Sequence, residues 1–206
     1  MARAFADIAF TDSVKALQVR YGSRNAYSGL AFDKNKSDRL TELEINFLSE
    51  CDSFYLGTVG ENGWPYIQHR GGSKGVLQVL DDRTITFVDF KGNQQYISLG
   101  NINANEKVSL FVMDYPNRRR LKIWARARLV DENINAELIA RFNNPEYPAR
   151  VDRAVILSIE AIDWNCPKYI TQRYSNEEIA QLIDPLLEEN RMLKMQLAQA
   201  LDKLKI

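Results

Sequence analysis

The chain has 206 residues, of which 45% are hydrophobic and 26% charged, a balance that suits one barrel-sized core with appended helices and excludes a disordered tail. Its 27 basic residues offset 27 acidic ones, so no global field draws it to nucleic acid or to an anionic membrane, and any anion site must be local. No apolar run is long enough for a secretory leader or a membrane span, so a cytoplasmic protein is expected.

Apolar residues recur at helical spacing from Thr11 to Tyr21 (Val14, Leu17) and from Ser37 to Glu50 (Leu40, Leu43, Phe47, Leu48), predicting two N-terminal helices. The stretch between them, Gly22 to Lys36, reads as an irregular connection. Strand signals begin at Phe54–Val59 and resume at Trp64–His69 across Asn62-Gly63, the strongest short hairpin cue. A second pair, Val76–Leu80 and Thr84–Phe90, is joined by Asp81-Asp82-Arg83. A short helix follows between Asn93 and Asn103, then strands over Val108–Met113 and Leu121–Val130. In the latter, Leu121, Ile123, Ala125, Ala127 and Leu129 share a core face, and Lys122, Trp124, Arg126 and Arg128 a wetter one. A helix over Ile134–Phe142 and a strand over Ala154–Ile162 complete six or seven strands without βαβ alternation, which predicts a mainly β, antiparallel barrel with peripheral helices.

After Ser175 the pattern turns helical. Ser175 and Glu178 form a capping-box pair, and Asp184-Pro185 reads as an N-cap and first-turn proline where a helix restarts. Leu186, Asn190, Leu193, Leu197, Ala200 and Leu204 then follow a heptad seam with one polar position, which suits either a short coiled coil or a helix packed on its own barrel. The expected organisation is a helical segment over 1–50, a barrel over 51–174 and a helical tail over 175–206.

The inventory excludes several chemistries. Cys51 and Cys166 form no CxxC pair, and with one histidine they cannot assemble a usual zinc site or a disulfide framework. Gly71-Gly72-Ser73-Lys74-Gly75 satisfies the G-x-S-x-G pattern of a hydrolase elbow, but His69 precedes the serine and a strand follows it, so the match is accidental. The glycines of the same stretch let a planar ligand lie close to backbone, with donors on Gln68, His69, Arg70 and Lys74; a glycine-rich bulge at a barrel corner is the bland alternative.

The order of Ser53–Val59, Pro65–Gly72, Asp89–Ser98, Asp114–Trp124 and Asp163–Pro167 resembles the pyridoxamine 5'-phosphate oxidase-related FMN-binding proteins, over about Thr11 to Arg173. The resemblance implies a split barrel that forms a homodimer, with FMN in two equivalent clefts at the subunit interface. It sets Gln68, His69, Arg70, Gly71, Gly72 and Ser73 along the isoalloxazine ring and Val88 and Asp89 where the next strand meets it. It sets Asn93, Gln94 and Gln95 at the phosphate and Arg120 where the partner subunit contributes, with Trp164 and Arg173 near further flavin positions. Two departures stand out. An arginine-lysine pair of the oxidases is replaced by Gln94-Gln95, so the phosphate needs charge from Arg70, Arg119 or Arg120. The histidine-containing substrate motif is replaced by Lys168–Arg173, which argues against oxidation of vitamin B6 phosphates. The resemblance implies an FMN-dependent oxidoreductase acting on a small molecule, the competing reading being a non-catalytic FMN or haem-type carrier or sensor. A nucleic-acid partner is disfavoured by the balanced charge.

Overall fold

The computed structural model describes residues 3–29, 38–131, 142 and 151–204. Contacts divide the chain into two units, residues 1–114 with 119–168 and residues 115–118 with 169–206.

The first unit is built on seven strands: β1 (Ser53–Val59), β2 (Pro65–Gly71), β3 (Gln78–Asp81), β4 (Thr84–Phe90), β5 (Lys107–Asp114), β6 (Arg119–Asp131) and β7 (Val151–Trp164). They form one antiparallel sheet in the order β2-β1-β5-β6-β7-β4-β3. In that order β2 and β4 are five places apart, roughly 24 Å if the sheet were flat. Yet Arg70 on β2 forms an ion pair with Asp89 on β4, and the rings of Phe54 on β1 and Phe87 on β4 lie 5.1 Å apart. The sheet is therefore rolled, and side chains rather than a backbone ladder join β2 to β4: a split barrel, as the sequence predicts.

The lumen is filled by Phe54, Leu56, Ile85, Phe87, Leu110, Val112, Leu121, Ile123 and Leu157, all buried. Each such side chain contributes about 1.5–3 kcal/mol when withdrawn from water, and β1, β5 and β6 alternate accordingly. On β6 the alternation holds through Ala127 and then slips, so that Val130 is buried and Leu129 only half-buried. A bulge in the pairing with β7, where Trp124 faces Ala161 and Ala125 faces Ile159, puts the extra residue, Glu160, on β7.

Helices α1 (Arg3–Ala9), α2 (Asp12–Arg20), α3 (Arg24–Ser28) and α4 (Glu42–Glu50) precede the sheet. Helix α1 and the short α3 have no counterpart in the predicted elements; α1 docks Phe5 against Trp124 on β6, ring centroids 5.3 Å apart. Thr11 caps α2, its hydroxyl accepting from the Val14 amide at 3.4 Å, but no residue of α2 is buried. Helix α4 starts at Glu42, later than predicted, because Thr41 is its N-cap: the Thr41 amide donates to Glu44 Oε2 at 2.8 Å. Leu48 and Phe47 of α4 close one end of the core. Helix α5 (Ile97–Ala104) lies between β4 and β5. The helix expected over residues 134–142 lies outside the described residues except for Phe142, which packs on a small cluster of Val88, Val130, Val151 and Ala154.

In the second unit, α6 (Asn176–Leu204) is preceded by the expected capping box. The Ser175 amide donates to Glu178 Oε2 at 2.8 Å and the Glu178 amide to Ser175 Oγ at 3.1 Å. The expected restart at Pro185 is corrected: the helix runs through it. A proline removes one intrahelical donor and crowds the preceding turn, a local cost that the surrounding run of leucines, glutamates and lysines, all good helix formers, accommodates. Also in this unit, the Arg173 guanidinium stacks over Tyr115 at 5.2 Å and Gln172 Nε2 donates to the Pro116 carbonyl at 2.7 Å.

Candidate functional site

Where β2 approaches β4 across the split, a cleft of about 240 Å³ opens against the start of α5. Its walls follow from strand alternation. Tyr66, Gln68 and Arg70 line it from β2, while Pro65, Ile67 and His69, on the opposite face, are exposed. His69 instead sets its ring edgewise to Tyr55, 5.6 Å away. From β4 come Asp89 and Phe90, and from β7 comes Asp152. Asp152 reaches the cleft because the β4–β7 ladder shifts there: Asp89 faces Arg153 and Phe90 faces Val151, leaving Asp152 as the extra residue of a bulge.

The floor is the loop from Gly92 to Tyr96. Gln94 and Tyr96 hold left-handed conformations, φ 58° and 53°, that side-chain-bearing residues rarely adopt. Asn93 Oδ1 accepts from the Gln95 amide at 3.2 Å, an Asx turn. Tyr96 is the N-cap of α5 and brings no side-chain cap bond, so the amides of Ile97, Ser98 and Leu99, residues that line the cleft, have no intrahelical partner. Such an end carries partial positive charge and exposed N–H groups, an anion-binding arrangement.

Polar contacts fix the walls. Ser98 Oγ donates to Gln68 Oε1 at 2.7 Å, which leaves the Gln68 amide hydrogens as donors. Asp89, buried, takes the Arg70 guanidinium on one oxygen and has Arg153 Nε 4.0 Å from the other. Arg153 also stacks over Tyr96 at 5.3 Å, and Arg70 over Phe87 at 5.7 Å. Arg70 Nε and Arg153 Nε are buried without a hydrogen-bond partner among the described residues. Two arginines and two aspartates thus meet here, so the cleft is polar yet close to neutral.

Of the residues singled out in the sequence, Gln68, Arg70, Asp89, Asn93, Gln94 and Gln95 converge on this cleft. Gly71, Gly72 and Ser73 continue beyond it: the Gly72 amide donates to the Asp52 carbonyl at 2.8 Å, and a Cβ on Gly72 would come within 3.0 Å of Val76. Val88 points into the small apolar cluster. Arg119, Arg120 and Trp164 gather elsewhere in the first unit. Arg119 donates to Asp114 Oδ2 through Nε at 2.8 Å and Nη2 at 2.6 Å and lies over Phe47. Arg120 Nη2 donates to the Cys166 carbonyl at 2.8 Å, its buried Nε having no partner among the described residues. Trp164 Nε1 donates to Glu44 Oε1 at 2.6 Å with its ring edgewise to Phe47. Arg153 and Trp164 stand at opposite ends of β7, roughly 35 Å apart along the strand. Arg173 belongs to the second unit.

Tyr66, Tyr96, Ser98, Asp152 and Arg153 were not singled out in the sequence. For Tyr66 the signal was present, since it shares the β2 face of Gln68 and Arg70; for Asp152 and Arg153 it depends on a bulge that no local pattern announces.

Among the described residues no cluster of three or more His, Cys, Asp or Glu could hold a metal ion, and no helix is long and apolar enough to cross a membrane. Glu44, Asp163 and Cys51 are among the groups that depart from their ordinary values. Burial would raise Glu44, but hydrogen bonds from Thr41 and Trp164 outweigh it and hold it low. Burial pushes Asp163 up against the opposing pull of Lys122, and pushes the Cys51 thiol up to about 12.

The chain resembles solved structures of this architecture. One is a candidate pyridoxamine 5'-phosphate oxidase from Lactobacillus delbrueckii, with 25% identity and a TM-score of 0.47, covering 61% of this chain and 94% of that one. Others are HupZ of Group A Streptococcus (16%, TM-score 0.46, 66% and 99% covered) and an F420 reductase (20%, TM-score 0.44, 60% and 98% covered). No curated protein matches. The sequence pattern of pyridoxamine 5'-phosphate oxidase matches residues 40–164, from just before α4 to the last residue of β7, and so takes in the whole sheet and every residue lining the cleft. The chain belongs to the pyridoxamine 5'-phosphate oxidase family.

Proposed function

We propose that the cleft between β2, β4 and the start of α5 binds the phosphate end of FMN, and that the protein is an FMN-dependent oxidoreductase acting on a small molecule. The observation that carries this reading is the α5 N-terminus opening on the cleft behind a loop of Asn93, Gln94 and Gln95. Unpartnered amides at Ile97 to Leu99 and side-chain amides from the loop are donors suited to phosphate oxygens. Arg70, which lines the cleft, supplies a further guanidinium. Because Asp89 and Asp152 together balance Arg70 and Arg153, helix dipole and hydrogen bonds, rather than net charge, hold the anion.

At about 240 Å³ the cleft falls below the roughly 300 Å³ where pockets for drug-sized ligands begin, so one chain accounts for part of an FMN site. A second copy supplies the remaining wall. Arg119, Arg120 and Trp164, remote from Arg153 along β7, are the residues it would bring, in a homodimer with two equivalent sites. FMN, when bound, supplies the hydride- and electron-accepting ring. The chain's own residues position it: Gln68, held by Ser98, presents amide hydrogens along β2, and the Arg70–Asp89 pair keeps that strand against β4. Vitamin B6 phosphates are not the proposed substrate.

The test is the visible spectrum of the purified protein reconstituted with FMN, before and after anaerobic addition of a nicotinamide cofactor or dithionite. Bound flavin bands that bleach with nicotinamide support an oxidoreductase. Bands that bleach with dithionite alone leave FMN binding standing and remove nicotinamide as donor. Absence of bound flavin refutes the proposal.

A further inference from the structure

Helix α6 is 29 residues long and has no buried residue. Most of its apolar side chains nonetheless lie on or beside one stripe, with Leu186 at 62% exposure, Leu193 at 56% and Leu197 at 59%, while Met192 and Met195 lie off it. The spacing from Ile179 through Ile183, Leu186, Asn190, Leu193, Leu197 and Ala200 to Leu204 alternates four and three residues throughout, the signature of a seam shared by two helices. An apolar stripe of this length left in water is unfavourable.

We propose that α6 pairs with α6 of a second copy as a parallel, in-register, two-stranded coiled coil. Three features select that occupant. Ile183, Asn190, Leu197 and Leu204 occupy one set of seam positions, Ile179, Leu186, Leu193 and Ala200 the other. Only a parallel, in-register pair sets Asn190 against Asn190 of the second copy, where the two amides satisfy each other. In an antiparallel pair Asn190 faces an apolar residue of the other set and its amide is buried without a partner.

Second, one pair of positions flanking the seam is charge-complementary and the others in the described helix, Leu182 with Leu187 and Gln196 with Leu201, carry no charge to oppose it. In the parallel pair Glu189 of one helix lies beside Lys194 of the other, twice by symmetry, five residues on. Within one helix a spacing of five keeps that pair apart, and the neighbouring Glu188 is engaged with Arg191 at 3.8 Å. Third, Pro185 sits off the seam, two residues after Ile183, so its ring does not enter the interface. A lipid surface is the poorer fit. Such helices carry Lys and Arg on the polar face, whereas α6 has Glu177, Glu178, Asp184, Glu188, Glu189 and Asp202 against Arg191, Lys194 and Lys203.

The seam uses residues separate from the cleft, so this inference stands or falls independently of FMN. The test uses the full chain with Cys166→Ser, which removes the exposed thiol, Cys51 being buried. Ala200→Cys, on the seam, is expected to give mostly disulfide-linked dimer under mild oxidation, and Asp202→Cys, on the outer face, little. Lys194→Glu should cut the cross-linking of Ala200→Cys several-fold, and adding Glu189→Lys should restore it. No cross-link at position 200, equal cross-linking at 200 and 202, or indifference to the charge exchange would overturn the proposal.

Discussion

Breaking the clasp across the split of the barrel should loosen the fold out of proportion to a single contact. No backbone ladder joins β2 to β4, and Arg70 and Asp89, with side chains 14% and 11% exposed, meet there. Asp89→Asn is nearly isosteric but removes the carboxylate that Arg70 and Arg153 share. Removing one partner of a fully buried pair costs about 3–5 kcal/mol; the residual exposure argues for the lower end, about 3 kcal/mol. For a chain of this size each kcal/mol moves Tm by about 2–4 °C, so Asp89→Asn should melt about 6–12 °C lower. Thermal unfolding followed by circular dichroism measures this. The double variant Arg70→Met with Asp89→Asn should recover at least half of the loss, because it removes an uncompensated charge. A Tm for Asp89→Asn within about 1 °C of the parent, or losses for the two changes that simply add, would refute the reasoning.

Glu44 joins the start of α4 to Trp164 at the end of β7, and its carboxyl is held low by those hydrogen bonds. It contributes stability that is present above the ordinary value of about 4.3 and is lost as pH falls through its lowered folded value; Glu44→Ala should cost about 1.5–3 kcal/mol at pH 7 and flatten the acid limb of a denaturant-derived stability profile. Asp163 runs the other way: raised by burial, with Oδ1 lacking a hydrogen-bond partner among the described residues, it favours the fold most below the ordinary value of about 3.9 and loses that contribution as pH rises through its folded value. Asp163→Asn should therefore raise stability at pH 7 by about 1 kcal/mol in the same experiment. Titration with a thiol reagent should find Cys166 in the native protein and Cys51 only after unfolding, since burial pushes the latter up to about 12.

Much of the architecture was legible because its signals are local. The Asn62-Gly63 turn, with Gly63 at φ 82°, sets the β1–β2 hairpin, and the alternation of β6 holds for most of its length. The clasp was not legible, because residues 19 apart in sequence meet through the curl of a whole sheet. Resemblance supplied contiguous runs such as Gln68 to Ser73, but a strand sends neighbouring residues to opposite faces. Period-two reasoning alone would have separated His69 from Gln68 and Arg70. Asp152 and Arg153 reach the cleft region through a bulge that no residue type marks, and the helix through Pro185 overrode a local stop signal because the flanking residues favour helix on both sides.

The claim that a phosphate end is held at the start of α5 is tested most directly by titrating the cofactor-free protein with FMN and, separately, with riboflavin, following flavin fluorescence. A site built on unpaired helix amides and the Asn93–Gln95 loop predicts FMN bound at least about tenfold more tightly than riboflavin, a difference of about 1.4 kcal/mol. Equal affinities, or no change in fluorescence with FMN, would contradict it.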